Sequence, residues 1–202
     1  MIISPQEIKA ILAFTSSRKK DAEFLQTVFV DRKNSKLIAT DSYSLLVIKS
    51  KDEEDIKSAD QNSFSYYINK STFKFCGANE MPLHIDLNTG RVSDSYTGTV
   101  INSINIKGHE AYDNYPVDLE RIFSRSDIMA TNCIFSLSGF EKIHKLISLY
   151  GPDSELFLTI KSRNTDFISF ETESNKALIQ FAVAAKTAQG PNLLFPKEES
   201  EL

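Results

Sequence analysis

A strand–helix–strand–strand–strand order that recurs three times in 202 residues constrains this chain more than any other feature. The first copy opens with Met1-Ile2-Ile3 and runs into Ser4-Pro5-Gln6-Glu7, a capping box with proline at the first helical position. Ile8, Ile11, Leu12 and Phe14 follow at helical spacing, and the helix is expected to end near Ser16-Ser17. Arg18-Lys19-Lys20-Asp21 makes a charged connection to strands expected over 24–31, 36–40 and 45–50. The second copy follows a polar loop at 51–63: a strand over 64–68, Asn69 as helix cap, a helix over 70–76 and Gly77 as its stop. Phe73 and Cys76 share one face of that helix, and strands are expected at 82–87, 90–95 and 98–107 around the turn residues Asn88-Thr89-Gly90. The third copy has a strand from Cys133 to Leu137 and a second capping box at Ser138 and Glu141. An apolar stripe of Phe140, Ile143, Leu146, Ile147 and Tyr150 follows, and Gly151-Pro152-Asp153 ends the helix before strands at 156–162, 166–173 and 177–185. The caps Ser4, Asn69 and Ser138 stand 65 and 69 residues apart. This order predicts an α+β architecture of antiparallel sheets with the helices laid on one face.

The repeats also divide the chain. Two units fill 1–108, a traversing connection occupies 109–131, a third unit forms a half-domain over 132–186, and a flexible acidic tail occupies 187–202. Within the first unit, the stretch Lys36 to Ser50 is the most particular. A β-rich run reaches Thr40-Asp41-Ser42 and re-enters an apolar run at Leu45-Leu46-Val47-Ile48. Short polar side chains between two such runs bond to nearby backbone and make a tight turn.

Charge sets limits on partners. The net charge is −4, yet residues 51–55 carry −3 and residues 187–202 carry −2, so the rest of the chain stands at +1. The acidic excess is local, and the body has lysines to place on a surface. Cys76 and Cys133 make no disulfide framework, which points to a reducing cytoplasm, and no apolar run reaches the roughly 18 residues of a membrane helix. His84, His109 and His144 have no ligand spacing, so neither a metal nor another cofactor is implied. No nucleophile–base pair or Gly-rich phosphate loop is present, and the acidic run 52–55 reads as a solvated surface, so the chain reads as a non-enzyme.

The repeated βαβββ unit, with Ala39-Thr40-Asp41 and Leu45 in the first copy and Pro116, Arg121 and Ile122 after the second, resembles the bacterial sliding clamp, the beta subunit of DNA polymerase III, in a shortened form. The closing strand Gln180 to Lys186 adds a less specific match. The family usually has Gly and His after the Asp, where this chain has Ser42 and Tyr43, and an Arg where it has Ser44. Val117 looks like an insertion. The resemblance implies helices lining a hole that duplex DNA passes through, with sheets on the outer rim. It places Arg18, Lys19 and Lys20, with Lys9, Lys70, Lys74, Lys142 and Lys145 on the helices, toward phosphates, in sequence-independent and salt-sensitive contacts.

The resemblance also implies a groove for short peptides of polymerases and other partners. Its walls map to Leu25, Thr40, Tyr43, Ser44, Leu45, Pro116, Arg121 and Ile122, with Phe167, Val183 and Ala185 from the third unit. The implied function is that of a processivity factor in DNA replication, with a polymerase and a clamp loader as partners. Rings of this kind have twelve units, so three units per chain imply a homo-oligomer, four chains ahead of two, with the odd unit completed by a neighbour. A second reading is a non-encircling docking module that uses the groove alone. Pro191 to Phe195 resembles the Leu-Phe-ended peptides that clamps bind, although an acidic tail with an incidental apolar pair is the simpler account.

Overall fold

The first helix forms where its cap chemistry places it. Ser4 accepts from the Glu7 amide at 3.2 Å while the Glu7 carboxylate accepts from the Ser4 amide at 2.7 Å, which satisfies two amides at the helix start. The computed structural model describes residues 1–18, 20–57, 65–104, 119–123, 137–150, 157–160, 167–173, 177–184, 186–187 and 190–191. The first unit contains β1 (Ile2–Ile3), α1 (Pro5–Phe14), β2 (Thr27–Asp31), β3 (Lys36–Thr40) and β4 (Ser44–Ser50). The start of the strand expected from residue 24 is instead a 3-10 turn, Glu23–Gln26, ahead of β2. The polar loop contains a short helix, α2 (Glu53–Lys57), and the second unit follows with β5 (Tyr66–Asn69) and α3 (Lys70–Ala78). Three strands complete that unit: β6 (Leu83–Asp86), β7 (Arg91–Asp94) and β8 (Val100–Ser103). Within the connection lies α4 (Leu119–Phe123). The third unit shows α5 (Leu137–Tyr150), β9 (Phe157–Ile160), β10 (Phe167–Glu173) and β11 (Ala177–Ala184). A small hairpin of β12 (Lys186–Thr187) and β13 (Gly190–Pro191) opens the segment expected to be a flexible tail, and residues 192–202 lie outside the described residues.

Two sheets form. One is ordered β1-β6-β7-β8, the other β5-β2-β3-β4-β11-β10-β9. The pairs of both are antiparallel, and the helices pack beside them, the α+β arrangement expected. Thus β1 leaves its own unit to pair with β6, and β5 leaves its own to pair with β2. The larger sheet is buried on both sides, which explains the continuous apolar run at Leu45 to Ile48. Val28, Val30, Leu37, Ala39, Leu46, Ile48, Ile179 and Phe181 face a core shared with α1, α3 and the smaller sheet. Phe29, Ile38, Leu45, Val47 and Ala182 face the opposite way, where Ile122 of α4 covers them.

Two helix boundaries differ from expectation. Gly77 lies inside α3 and not at its end, and it is a point of close approach to α1, where an added Cβ would stand 3.2 Å from the Ile8 and Leu12 side chains. Ser138 lies in the first turn of α5 and not ahead of it. The expected stripe of α5 is shifted as well: Leu146 is buried with Ile143, Leu149 and Tyr150 against the core, while Phe140 and Ile147 are exposed.

Candidate functional site

The cations expected on the helices occupy different chemical settings. α1 lies between α3 and α5: Ile8 and Leu12 point to α3, and Phe14 lies under the Lys142 ammonium of α5 at 5.3 Å. Arg18 and Lys20, on the connection after α1, are exposed, as are Lys74 of α3 and Lys145 of α5. Lys19 lies outside the described residues. Lys9 forms an ion pair with Glu80 at 2.9 Å, just beyond the end of α3. The Lys70 ammonium donates to the Ser16 carbonyl, and its pKa is held below the usual lysine value by partial desolvation and then by the charge of Lys74. Lys142 is tied inward, donating to the Asp41 carboxylate and, at 2.6 Å, to the Ser44 hydroxyl.

Asp41 organises the turn between β3 and β4. Its Oδ1 accepts from the amides of Tyr43 at 3.1 Å and Ser44 at 2.9 Å and from the Ser44 hydroxyl at 2.8 Å. Its Oδ2 accepts from Lys142. Thr40 closes the other side, donating its hydroxyl to the Ser44 carbonyl at 2.7 Å. The Tyr43 carbonyl accepts from the Ala184 amide at 2.7 Å, which joins the turn to the third unit. A cleft of about 430 Å³ opens here, lined in part by Leu12, Arg18, Tyr43, Gly139, Lys142 and Val183. It offers apolar walls, the guanidinium of Arg18 and several hydroxyls, a setting suited to a short amphipathic segment.

The expected groove residues do not share one wall. Tyr43, Ser44 and Val183 line the cleft on the helix side. Leu45 and Ile122 belong to the cluster on the opposite face of the sheet, where they pack together and are buried. Alternation along the strands produces the split, since adjacent positions point to opposite faces. Thr40 and Leu25 are buried. Pro116 and Ala185 lie outside the described residues, as do the side chains of Arg121 and Phe167. Leu12, Ala13 and Asp21 join the cleft lining without having been marked by sequence. The pairing of Asp41 with Lys142 spans 101 residues, so no local pattern reveals it.

No helix among the described residues is long and apolar enough to cross a membrane. No family model matches the sequence, and no curated protein does. Solved structures do match. One, described as a DNA polymerase III beta subunit from Eubacterium rectale, is 12% identical, with a TM-score of 0.54 over 93% of this chain and 64% of that one. Another, a DNA polymerase sliding clamp from Bacillus subtilis, is 15% identical over 92% of this chain and 48% of that one, with a TM-score of 0.34. The chain therefore spans less than two thirds of the length of these structures. Reciprocal βαβββ units, antiparallel sheets and a row of helices together give this chain a DNA-clamp-like fold.

Proposed function

We propose that the chain is a clamp-like processivity factor, which holds duplex DNA against its helices without reading sequence and docks polymerase peptides at the cleft beside Tyr43. The observation that carries this reading is the row α3–α1–α5, with the exposed cations Lys74 and Lys145 on its helices and Arg18 and Lys20 on the connection after α1, in a fold shared with a structure described as a polymerase III beta subunit. Cations at helix surfaces meet phosphates without base contacts, and their affinity falls with salt. Encirclement requires several chains, so the reading includes a homo-oligomer. It assigns the chain no catalysis.

Lys9, Lys70 and Lys142 contribute less in this reading, because each ammonium already has an intramolecular partner. Replacing Arg18, Lys20, Lys74 and Lys145 by Ala is expected to weaken association with duplex DNA. The slope of log affinity against log salt should fall by about 3–4 if all four meet phosphates. Equal affinity and slope for the parent and the fourfold variant, measured by fluorescence anisotropy on two unrelated duplexes, would remove the assignment.

A further inference from the structure

The antiparallel pair α1–α5 has a second cavity at the end away from the cleft beside Tyr43. That cleft draws Leu12 and Ala13 from the last turn of α1, and Gly139 and Lys142 from the first two turns of α5. The second cavity, of about 470 Å³, draws Pro5 and Glu7 from the first turn of α1, and Leu149 and Tyr150 from the last turn of α5. Ile2 of β1 and Pro82, just ahead of β6, complete its apolar walls. The function proposed above uses none of these residues.

Tyr96 stands at the rim, with its side chain 83% exposed. The backbone beneath it is fixed. The Asp94 carboxylate accepts from the Tyr96 amide at 2.8 Å and from the Thr97 hydroxyl at 2.9 Å. The Gly98 amide reaches back to the Asp94 carbonyl at 2.9 Å, and Gly98 has φ +69°, where glycine meets no Cβ conflict. The Ser95 amide donates to the Pro82 carbonyl at 3.0 Å, which ties the turn to the cavity wall. A rigid turn thus holds an open aromatic ring beside a concave apolar surface of the size that small-molecule sites have. Backbone fixed in advance loses little freedom when a ligand arrives.

Charge narrows the ligand. Among the described residues that line the cavity, Glu7 carries the one formal charge, and no lysine, arginine or histidine accompanies it. Its carboxylate is positioned by the capping box, in which Oε2 accepts from the Ser4 amide. The field of that carboxylate reaches the Tyr150 phenol: burial raises the phenol's pKa and the Glu7 charge raises it further, so the hydroxyl keeps its proton. The negative faces of the Tyr96 and Tyr150 rings add to the same bias.

We propose that this cavity binds a small organic cation with an apolar body, its ammonium or guanidinium group directed to Glu7 and its body set among Tyr96, Pro5, Pro82 and Leu149. A neutral molecule of the same shape gains the walls alone, and an anion meets the Glu7 charge.

Phenethylamine, 2-phenylethanol and phenylacetate share one body and differ in charge, and titrating each into the full chain tests the proposal by amide NMR shifts. Phenethylamine is expected to move the amides of Glu7, Tyr96 and Tyr150 with a Kd of roughly a millimolar, the range for so few atoms. The alcohol should bind at least about threefold more weakly, and the carboxylate more weakly still. Glu7→Gln keeps the reciprocal cap, since glutamine also accepts from the Ser4 amide. It should weaken phenethylamine about fivefold and leave 2-phenylethanol unchanged. Tyr96→Ala should weaken both compounds without moving the thermal midpoint, because the ring it removes is exposed. No shift with phenethylamine, equal or tighter binding of phenylacetate, or a phenethylamine affinity that Glu7→Gln leaves unchanged would overturn the assignment.

Discussion

Ser42 adopts φ +75°, the left-handed region that an L side chain enters at a cost of roughly 1–2 kcal/mol. Its amide donates to the Thr40 hydroxyl at 3.1 Å, and the Asp41 carboxylate on its other side holds the next two amides, so the turn is overdetermined and the strain persists. Glycine, the residue usual at this step in clamps, has no Cβ to conflict with that backbone. Ser42→Gly is therefore expected to raise stability by about 0.5–1 kcal/mol, read from the urea midpoint at unchanged slope. A lower midpoint would mean that the hydroxyl makes a contact worth more than the strain. The turn itself was legible in the sequence, because short polar side chains act on amides two or three residues away. Its bond to Lys142 was not, since that partner arrives from a helix 101 residues later.

Helices were legible where their ends are fixed by local chemistry and illegible where a neighbour decides. The capping box at Ser4 predicts the start of α1, and Asn69 does the same for α3, accepting from the Ser71 amide at 2.9 Å. Gly77 reads as a stop because glycine terminates helices, yet α3 runs on to Ala78. Its use is close approach: Ile8 Cγ2 and Leu12 Cδ1 of α1 lie where a larger side chain would need to go. Gly77→Leu is expected to push α1 and α3 apart and destabilise the fold by about 1–3 kcal/mol, despite leucine's better helix propensity. Thermal denaturation decides the point, and an unchanged or higher midpoint would show that the two helices separate freely. The placement of the expected groove residues on two faces was illegible for a related reason. Sequence marks Tyr43, Leu45, Ile122 and Val183 together, but alternation along β4 and β11 sends Leu45 to the α4 side and Val183 to the cleft. Only the pairing of strands across the sheet tells those faces apart.

At the scale of the whole molecule, the third unit was legible as a repeat but not as part of a sheet shared with the first. β11 pairs with β4 from Ala177 opposite Ser50 to Val183 opposite Ser44, which joins the strands of the first and third units, with β5 of the second at the edge, into one seven-stranded sheet. The core follows the sheet. Leu146, Ala177, Ile179 and Phe181 of the third unit belong to the same buried cluster as Ile8, Phe14, Leu46 and Ile85 of the first two. Phe181 is at the centre of this joint, fully buried, with its ring at 72° to that of Phe14 and 6.2 Å between centroids. Such an edge-to-face pair stabilises by about 0.5–1.5 kcal/mol beyond the area it buries. A unit whose described core residues all pack against its neighbours has little apolar surface to bury alone, and small isolated segments are marginal even with a core of their own. The chain is therefore expected to unfold in one cooperative transition, with the third unit leaving no separate step. Phe181→Ala should lower the stability of that single transition by about 3–5 kcal/mol, and segment 132–186 alone should show no cooperative melt. Hydrogen exchange in the variant discriminates. If amides of β2 and β3 keep the parent's protection while those of β10 and β11 lose theirs, the third unit opens as a body of its own and the shared core does not couple them.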